Sequence, residues 1–279
     1  MNIVYVMLNN FQDYILDNIE HSLSVMNPIS RIFVITNKEF FPLFHIFLNK
    51  ITLVASDDLS ISHTYNKTSV YLKDTFRNGF WHLTSLRFFY IYEFMKKYEI
   101  ESVLHLENDV LIYYSPDILI PACNPTYVYM PFDCWNRNIA SIVYIPNHVV
   151  FGNILQHYDH TQTDMANFSV IREKTGLIET FPIFPLLNTI PASDEIRFVS
   201  KNFDTFGCIF DAAAIGQYLF GVDPRNIQGD TRGFINETCV IKYNNYQIVW
   251  QQLRPFLCIE GYCIPIFNLH IHCKNLKLH

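Results

Sequence analysis

In the stretch Val103–Tyr113, VLHLENDVLIY, two carboxylates sit one residue apart inside an otherwise apolar segment: Glu107 and Asp109. Residues two apart in an extended chain point to the same side, so the pair converges if the strand runs through it. Carboxylates held together repel unless a cation compensates them or one keeps a proton. A hard divalent ion prefers such oxygen ligands. The plain alternative is a turn between two strands that the two acids merely flank. A second group of suitable chemistry lies near the C-terminus. In NLHIHCK, His270, His272 and Lys274 alternate with Ile271 and Cys273. Extended, they present two imidazoles and an ammonium on one side. Imidazole suits Mn, Zn and Fe, and mixed carboxylate and histidine ligation favours Mn2+ over Mg2+. The ammonium is a compact point charge for phosphate. An exposed polar face on a terminal strand would show the same three residues. Arg87 is the third element. It shares a helix face with apolar residues, and a guanidinium facing inward needs an anion. A phosphate, Glu107 or a structural salt bridge would each serve.

The surrounding sequence supplies the positioning elements. NIVYVML and RIFVIT are short apolar runs that read as buried strands, ITLVAS as a third, and ESVLHL as a fourth ending at Glu107. DYILDNIEHSLSV carries helical spacing through Ile15, Ile19 and Leu23. The strongest helix is FWHLTSLRFFYIYEFMKKYE, where Phe80, Thr84, Arg87, Ile91, Phe94 and Tyr98 recur at three or four residues. Strands alternating with helices predict an α/β fold with a mainly parallel central sheet flanked by helices. Ligands of such sheets bind beyond the carboxyl ends of the strands, where Glu107 to Asp109 would lie. Further on, TYVYM and ASIVYI read as strands and 148–157 as a helix. FDAAAIGQYLFG reads as a short helix opened by Asp211 as N-cap. CVIKY and YQIVW read as a hairpin across Asn244-Asn245. The segments 56–78 and 162–180 read as loops, the places to look for a lid or an exchanged arm.

Composition narrows the classes. The chain has 279 residues, half of them hydrophobic, enough for a large core in one domain. A net charge of −6 argues against nonspecific nucleic-acid binding, which needs a basic surplus. No run approaches the roughly 18–20 apolar residues of a membrane span, and MNIVYVML reads as a strand rather than a secretory signal. The expected location is cytoplasmic. The seven cysteines are odd in number and lack zinc-like spacing, which suggests free thiols. Abundant aromatic residues favour a homodimer, since exposed ones tend to find partners.

These segments resemble the GT-A family of nucleotide-sugar glycosyltransferases. FWHLTSLRFFYIYEFMKKYEIESVLHLENDVLIY is similar to that family's helix, strand and acidic DxD motif, here Glu107-Asn108-Asp109 with Glu in the first place. NLHIHCKNL is similar to its C-terminal His and Lys elements. The resemblance implies one GT-A-type domain over 1–279, Rossmann-like, with a tail folding back to the active site. It implies Mn2+ held by Asp109, Glu107 and His270 or His272, and a UDP-sugar whose diphosphate meets Lys274 and Arg87. The uracil would lie near Asn9 and Asn10. Asp211 and Gln217 are candidate sugar contacts, and Asp164 is a candidate acid on the acceptor side. For Asp211 the alternative is a helix cap, and for Asp164 a loop carboxylate. FDAAAIGQYLFGVDPRN and GFINETC resemble glycosyltransferases of bacteria and giant viruses. Some of these act on collagen, which implies UDP-glucose as donor, galactosylhydroxylysine as acceptor and a viral protein in the host cytoplasm. The C-terminal pattern implies retention of anomeric configuration. Rival classes are a noncatalytic sugar-nucleotide or glycan-binding module, a metal-dependent phosphohydrolase and a nucleotidyltransferase. Glu107 in the first acidic position disfavours the phosphohydrolase, because its longer arm misplaces an attacking oxygen. LNNFQDY, with neither glycine nor base, disfavours the nucleotidyltransferase.

Overall fold

The computed structural model describes residues 1–61, 79–186 and 192–279. The loop expected over 56–78 begins with a 3₁₀ turn at Ser56–Asp58 and lies outside the described residues from 62 on. The N-terminal part alternates as the sequence predicts. Strand β1 (Asn2–Met7) is followed by α1 (Tyr14–Val25), β2 (Arg31–Thr36), a 3₁₀ segment, β3 (Ile51–Ala55), α2 (Phe80–Tyr98) and β4 (Val103–Leu106). The order β3-β2-β1-β4 is parallel throughout. These short apolar runs are strands because both faces are buried. Val4 and Ile35 pack with Phe88, Phe89 and Phe94 of α2, while Ile3, Tyr5 and Val34 pack with Ile15 and Ile19 of α1. Alternate residues thus serve opposite layers. Phe88, Phe89 and Phe94 are each fully buried, a contribution of about 1.5–3 kcal/mol apiece.

Beyond β4 the chain adds β5 (Val110–Ile112), β6 (Val128–Cys134), β7 (Arg137–Asn138), β8 (Ile142–Ile145), α3 (His148–Leu155), α4 (Asp164–Thr175) and β9 (Ile178–Phe181). β8 joins β4 antiparallel and carries β6 and β7 outward, and β9 lies parallel to β6. The sheet is therefore mixed, with its parallel half next to the acidic segment. Residues 162–180 are not a loop. Met165, Phe168 and Ile171 turn α4 inward, and Gly176, at φ +65°, stops it. Its low amphipathicity hid the helix from the sequence pattern.

The C-terminal third follows with α5 (Asp194–Val199), α6 (Phe203–Phe206), α7 (Ile215–Phe220), β10 (Gln247–Gln251), β11 (Arg254–Ile259), β12 (Tyr262–Pro265) and β13 (Asn268–His270). The hairpin falls one segment later than expected. CVIKY is not a strand; β10 pairs with β11 across Gln252 and Leu253, both at positive φ, as a two-residue turn matching strand twist requires. β13 returns to pair antiparallel with β5, so the tail does fold back onto the acidic segment. Among the described residues no helix is long and apolar enough to cross a membrane.

Candidate active site

The acidic pair converges, but not by strand alternation. β4 ends at Leu106, and Glu107-Asn108-Asp109 turn, with the Val110 N–H donating to the Glu107 carbonyl at 3.1 Å. The turn is braced from several sides. Glu107 N–H donates to the Ser141 carbonyl at 2.8 Å. The fully buried Asn18 of α1 donates its amide to the carbonyls of Asn108 and Val110, both at 3.0 Å. Asn108 spends its own amide on Gln12 Oε1 at 2.7 Å and the Val6 carbonyl at 3.3 Å. Asn108, which the motif resemblance places among the nucleotide contacts, thus spends its amide on bracing the turn.

The other half of the site arrives from the C-terminus. In the β5–β13 pairing His270 stands opposite Val110, and the Ile271 N–H donates to the Asp109 carbonyl at 2.8 Å. His270 Nε2 then lies 3.2 Å from Glu107 Oε2 and 3.2 Å from Asp109 Oδ1. The extended register stops there. His272 swings back so that its ring lies 4.0 Å from that of His270, and Lys274 adopts a left-handed φ of 63° that returns its ammonium to Asp109 Oδ2. On the far side Arg87 bonds Glu107 Oε1, Asp164 Oδ2 at 3.0 Å and the Ala140 carbonyl at 3.2 Å. Acid and base thus alternate along one line: Asp164, Arg87, Glu107, His270, Asp109, Lys274.

Burial works against charge at each of these groups, and the neighbours decide the outcome. Burial would raise the Asp109 carboxyl, but Lys274 and His270 hold it well below the usual range. Burial would lower His270, but Asp109 and Glu107 hold it above the ordinary histidine value. Burial and the His270 charge push His272 well down, against the pull of Asp109. Burial raises Asp164 despite Arg87. His105, on β4, is pushed down to about 3 by burial and then by Arg87.

Glu107, Asp109 and His270 each offer one ligand atom within 4.8 Å of the others. Glu107 and Asp109 give their second oxygens to Arg87 and Lys274, so Oε2, Oδ1 and Nε2 are the atoms that face one another. This hard oxygen and imidazole set fits a divalent ion such as Mn2+. His272 is not in the set; it stacks on His270 and meets Gln217 Nε2 at 3.2 Å.

A cavity of about 590 Å³ opens over the line of charges. Arg87, Glu107, Asn108, Asp109, Asp164, Gln217, His270, His272 and Lys274 all line it. Asp164 is thus a buried helix-terminal carboxylate rather than a loop acid. Asn9 and Asn10 are exposed and outside the cavity lining, and Asn9 uses its N–H on Asn37 Oδ1 at 2.8 Å. The wall beyond β1 is made instead by Leu8, Gln12 and Tyr14. Asp211 is also outside. It is fully buried, and its two oxygens accept four backbone N–H groups, from Ala214, Ile215, Gly216 and His270, at 2.8–2.9 Å. Both oxygens are thus spent on backbone, at the start of α7, whose N-cap position is Ala214, and on β13. Sequence reasoning passed over Asp223 and Arg225, which line the cavity beside Lys274. Their signal was the turn VDPRN, where Asp223 binds Arg225 through both oxygens.

No family model and no curated protein matches the chain. Solved structures do. Mouse xyloside xylosyltransferase 1 aligns over 65% of this chain and 86% of its own, at 8% identity and a TM-score of 0.48. The glycosyltransferase GlyE of Streptococcus pneumoniae aligns over 64% of this chain and 44% of its own, at 15% identity and a TM-score of 0.42. The galactosyltransferase LgtC, bound to donor and acceptor sugar analogues, aligns over 65% and 73%, at 12% identity and a TM-score of 0.41. The parallel β3-β2-β1-β4 half, the flanking helices and the returning tail make this chain an α/β fold around a mixed central sheet.

Proposed function

We propose that this chain is a metal-dependent glycosyltransferase that draws its sugar from a UDP-sugar. The observation that carries the reading is the convergence of Glu107 Oε2, Asp109 Oδ1 and His270 Nε2 on one another, with an ammonium held beside them in a cavity large enough for a nucleotide sugar. Glu107, Asp109 and His270 would hold Mn2+. When bound, the ion would neutralise charge developing on a leaving diphosphate. Lys274 exchanges Asp109 for phosphate oxygen, a charge-assisted contact of the same kind. Arg225, beside it, supplies a planar fork for a second oxygen. Arg87 keeps Glu107 in place and fixes the Asp164 carboxyl, whose raised pKa suits it to hold a sugar hydroxyl as donor or acceptor. Gln217 orients His272 and offers its amide to the same sugar. Retention of configuration, glucose as the transferred sugar and a galactosylhydroxylysine acceptor are the finer form of the proposal, and rest on the motif resemblance.

The test is UDP release from a panel of UDP-sugars, with Mn2+ or EDTA, first in water and then with galactosylhydroxylysine peptides. The expected result is release from one sugar, lost with EDTA and lost in Asp109→Asn. Mn2+-dependent UDP binding without release from any sugar under either condition would make the chain a binding module instead.

A further inference from the structure

Two sulfurs meet on the face of the β11–β12 hairpin, outside the cavity lining. The hairpin turns on Glu260 and Gly261, at φ 50° and 84°, so Ile259 closes against Tyr262 and Cys258 stands directly opposite Cys263. Directly opposed residues of an antiparallel pair bring their Cβ atoms to about 4.5–5.5 Å, within the span a disulfide can bridge. The Sγ atoms are 2.7 Å apart, closer than two non-bonded sulfurs rest comfortably. Cys263 is exposed and Cys258 partly so, so a reagent in solvent reaches them. Three of the other cysteines differ. Cys123, Cys208 and Cys239 are buried, with thiols pushed up to about 12 chiefly by burial, and buried thiols of this kind are inert. Among the described residues no other two sulfurs share a hydrogen bond.

We infer that Cys258 and Cys263 form a reversible dithiol–disulfide site whose co-substrate is a low-molecular-weight disulfide of the glutathione class. The order of attack follows from exposure. Cys263 is exposed and Cys258 only partly so, and the shared hydrogen bond pushes the Cys258 thiol up to about 11. Cys263 is therefore the sulfur that attacks as thiolate. It attacks one sulfur of the small disulfide, whose S–S bond breaks and releases one small thiolate. Cys258 then loses its proton and attacks Cys263 Sγ in the mixed disulfide, releasing the second small thiolate. The two protons from the protein thiols end on the two released thiolates. The protein loses two electrons and the small disulfide gains them. The new bond ties together the hairpin that leads through Ile266 into β13 and His270.

The full chain is incubated in oxidised and reduced glutathione over a range of ratios, quenched with acid, alkylated after unfolding and weighed intact. At oxidising ratios the expected product is lighter by two hydrogens, carries two fewer alkyl groups than the reduced protein, and maps both losses to Cys258 and Cys263. Excess reduced glutathione restores both sites. In Cys258→Ser the expected product is a glutathione adduct that accumulates on Cys263, because the resolving thiol is gone. Two outcomes overturn the inference. One is a pair that stays fully alkylable in oxidised glutathione. The other is a parent protein that retains glutathione on Cys263 as Cys258→Ser does. The variant exchanges one partly exposed hairpin side chain for a close isostere, so circular dichroism superimposable on the parent is expected alongside.

Discussion

Replacing Asp211 by Asn exchanges one oxygen for an amide nitrogen at nearly constant size. In the native protein Oδ1 accepts the N–H groups of Ala214 and Ile215, and Oδ2 those of Gly216 and His270. An amide has one acceptor atom, and its NH2 would point at two N–H donors. Whichever way it turns, two backbone donors lose their acceptor. The side chain is fully buried, so water cannot replace it. Hydrogen bonds to a charged group contribute about 1.5–3 kcal/mol each. The loss is then about 3–6 kcal/mol, a large share of the roughly 5–15 kcal/mol typical of a folded protein. Urea denaturation followed by tryptophan fluorescence reads it directly. With the nitrogen in the place of Oδ2, one of the affected donors is the His270 N–H, and Mn2+ affinity should then fall as well. A variant that unfolds within about 1 kcal/mol of the parent, below the cost of a single such bond, yet loses turnover would refute this reasoning and return Asp211 to the chemistry.

His270→Ala is expected to abolish Mn2+ binding in a calorimetric titration. His272→Ala, which removes a ring stacked behind the ligand, should weaken it by about tenfold to a hundredfold; equal losses would make His272 a ligand too. A Cβ on Gly216 would lie 2.1 Å from the His270 carbonyl oxygen and 2.8 Å from its carbon. Gly216→Ala should therefore cost near the top of the about 1–3 kcal/mol range for overpacking, and an unchanged urea midpoint would show that the helix does not approach β13 so closely. Burial would raise Asp223, but hydrogen bonds from Arg225 bring it down to about 2. Its contribution to stability is complete above the unfolded value of about 3.9 and fades as pH falls from there through about 2. Asp223→Asn should thus flatten the acid limb of the stability profile, and a parallel limb in both proteins would count against the pairing.

The parts of the molecule that could be read from sequence are those where local pattern and tertiary demand agree. β1, β2 and β4 are apolar on both faces because helices cover both faces, and α2 shows its period because one side meets a sheet. The acidic pair and the terminal histidine were legible as chemistry, since carboxylate, imidazole and ammonium have few other reasons to cluster in apolar surroundings. Their geometry was not. Glu107 and Asp109 meet through a turn braced by Asn18, about 90 residues away in the chain. Nothing local announces that contact. α4 was lost because a helix buried on several sides has no clean stripe. Asp211 stayed open because a carboxylate near small residues reads equally as a sugar contact and as a cap, and only the fold shows its oxygens spent on four N–H groups. Asn9 and Asn10 misled because strand-end position predicts nearness to the ligand but not the direction of a side chain at positive φ, as Asn9 is.

The pairing of β13 with β5 sets a schedule for synthesis. The β3-β2-β1-β4 half can form from residues made early, and with it the turn that carries Glu107 and Asp109. Those two acids then wait beside Arg87 with no imidazole and no ammonium, because His270 and Lys274 are made long after them. Asp109 and Lys274 are separated by 165 positions, and a contact of that range is late and slow to form. In the interval between them the growing chain therefore holds an acidic turn whose counter-charge is incomplete. A ribosome that stops before His270 would release a folded sheet with half a site.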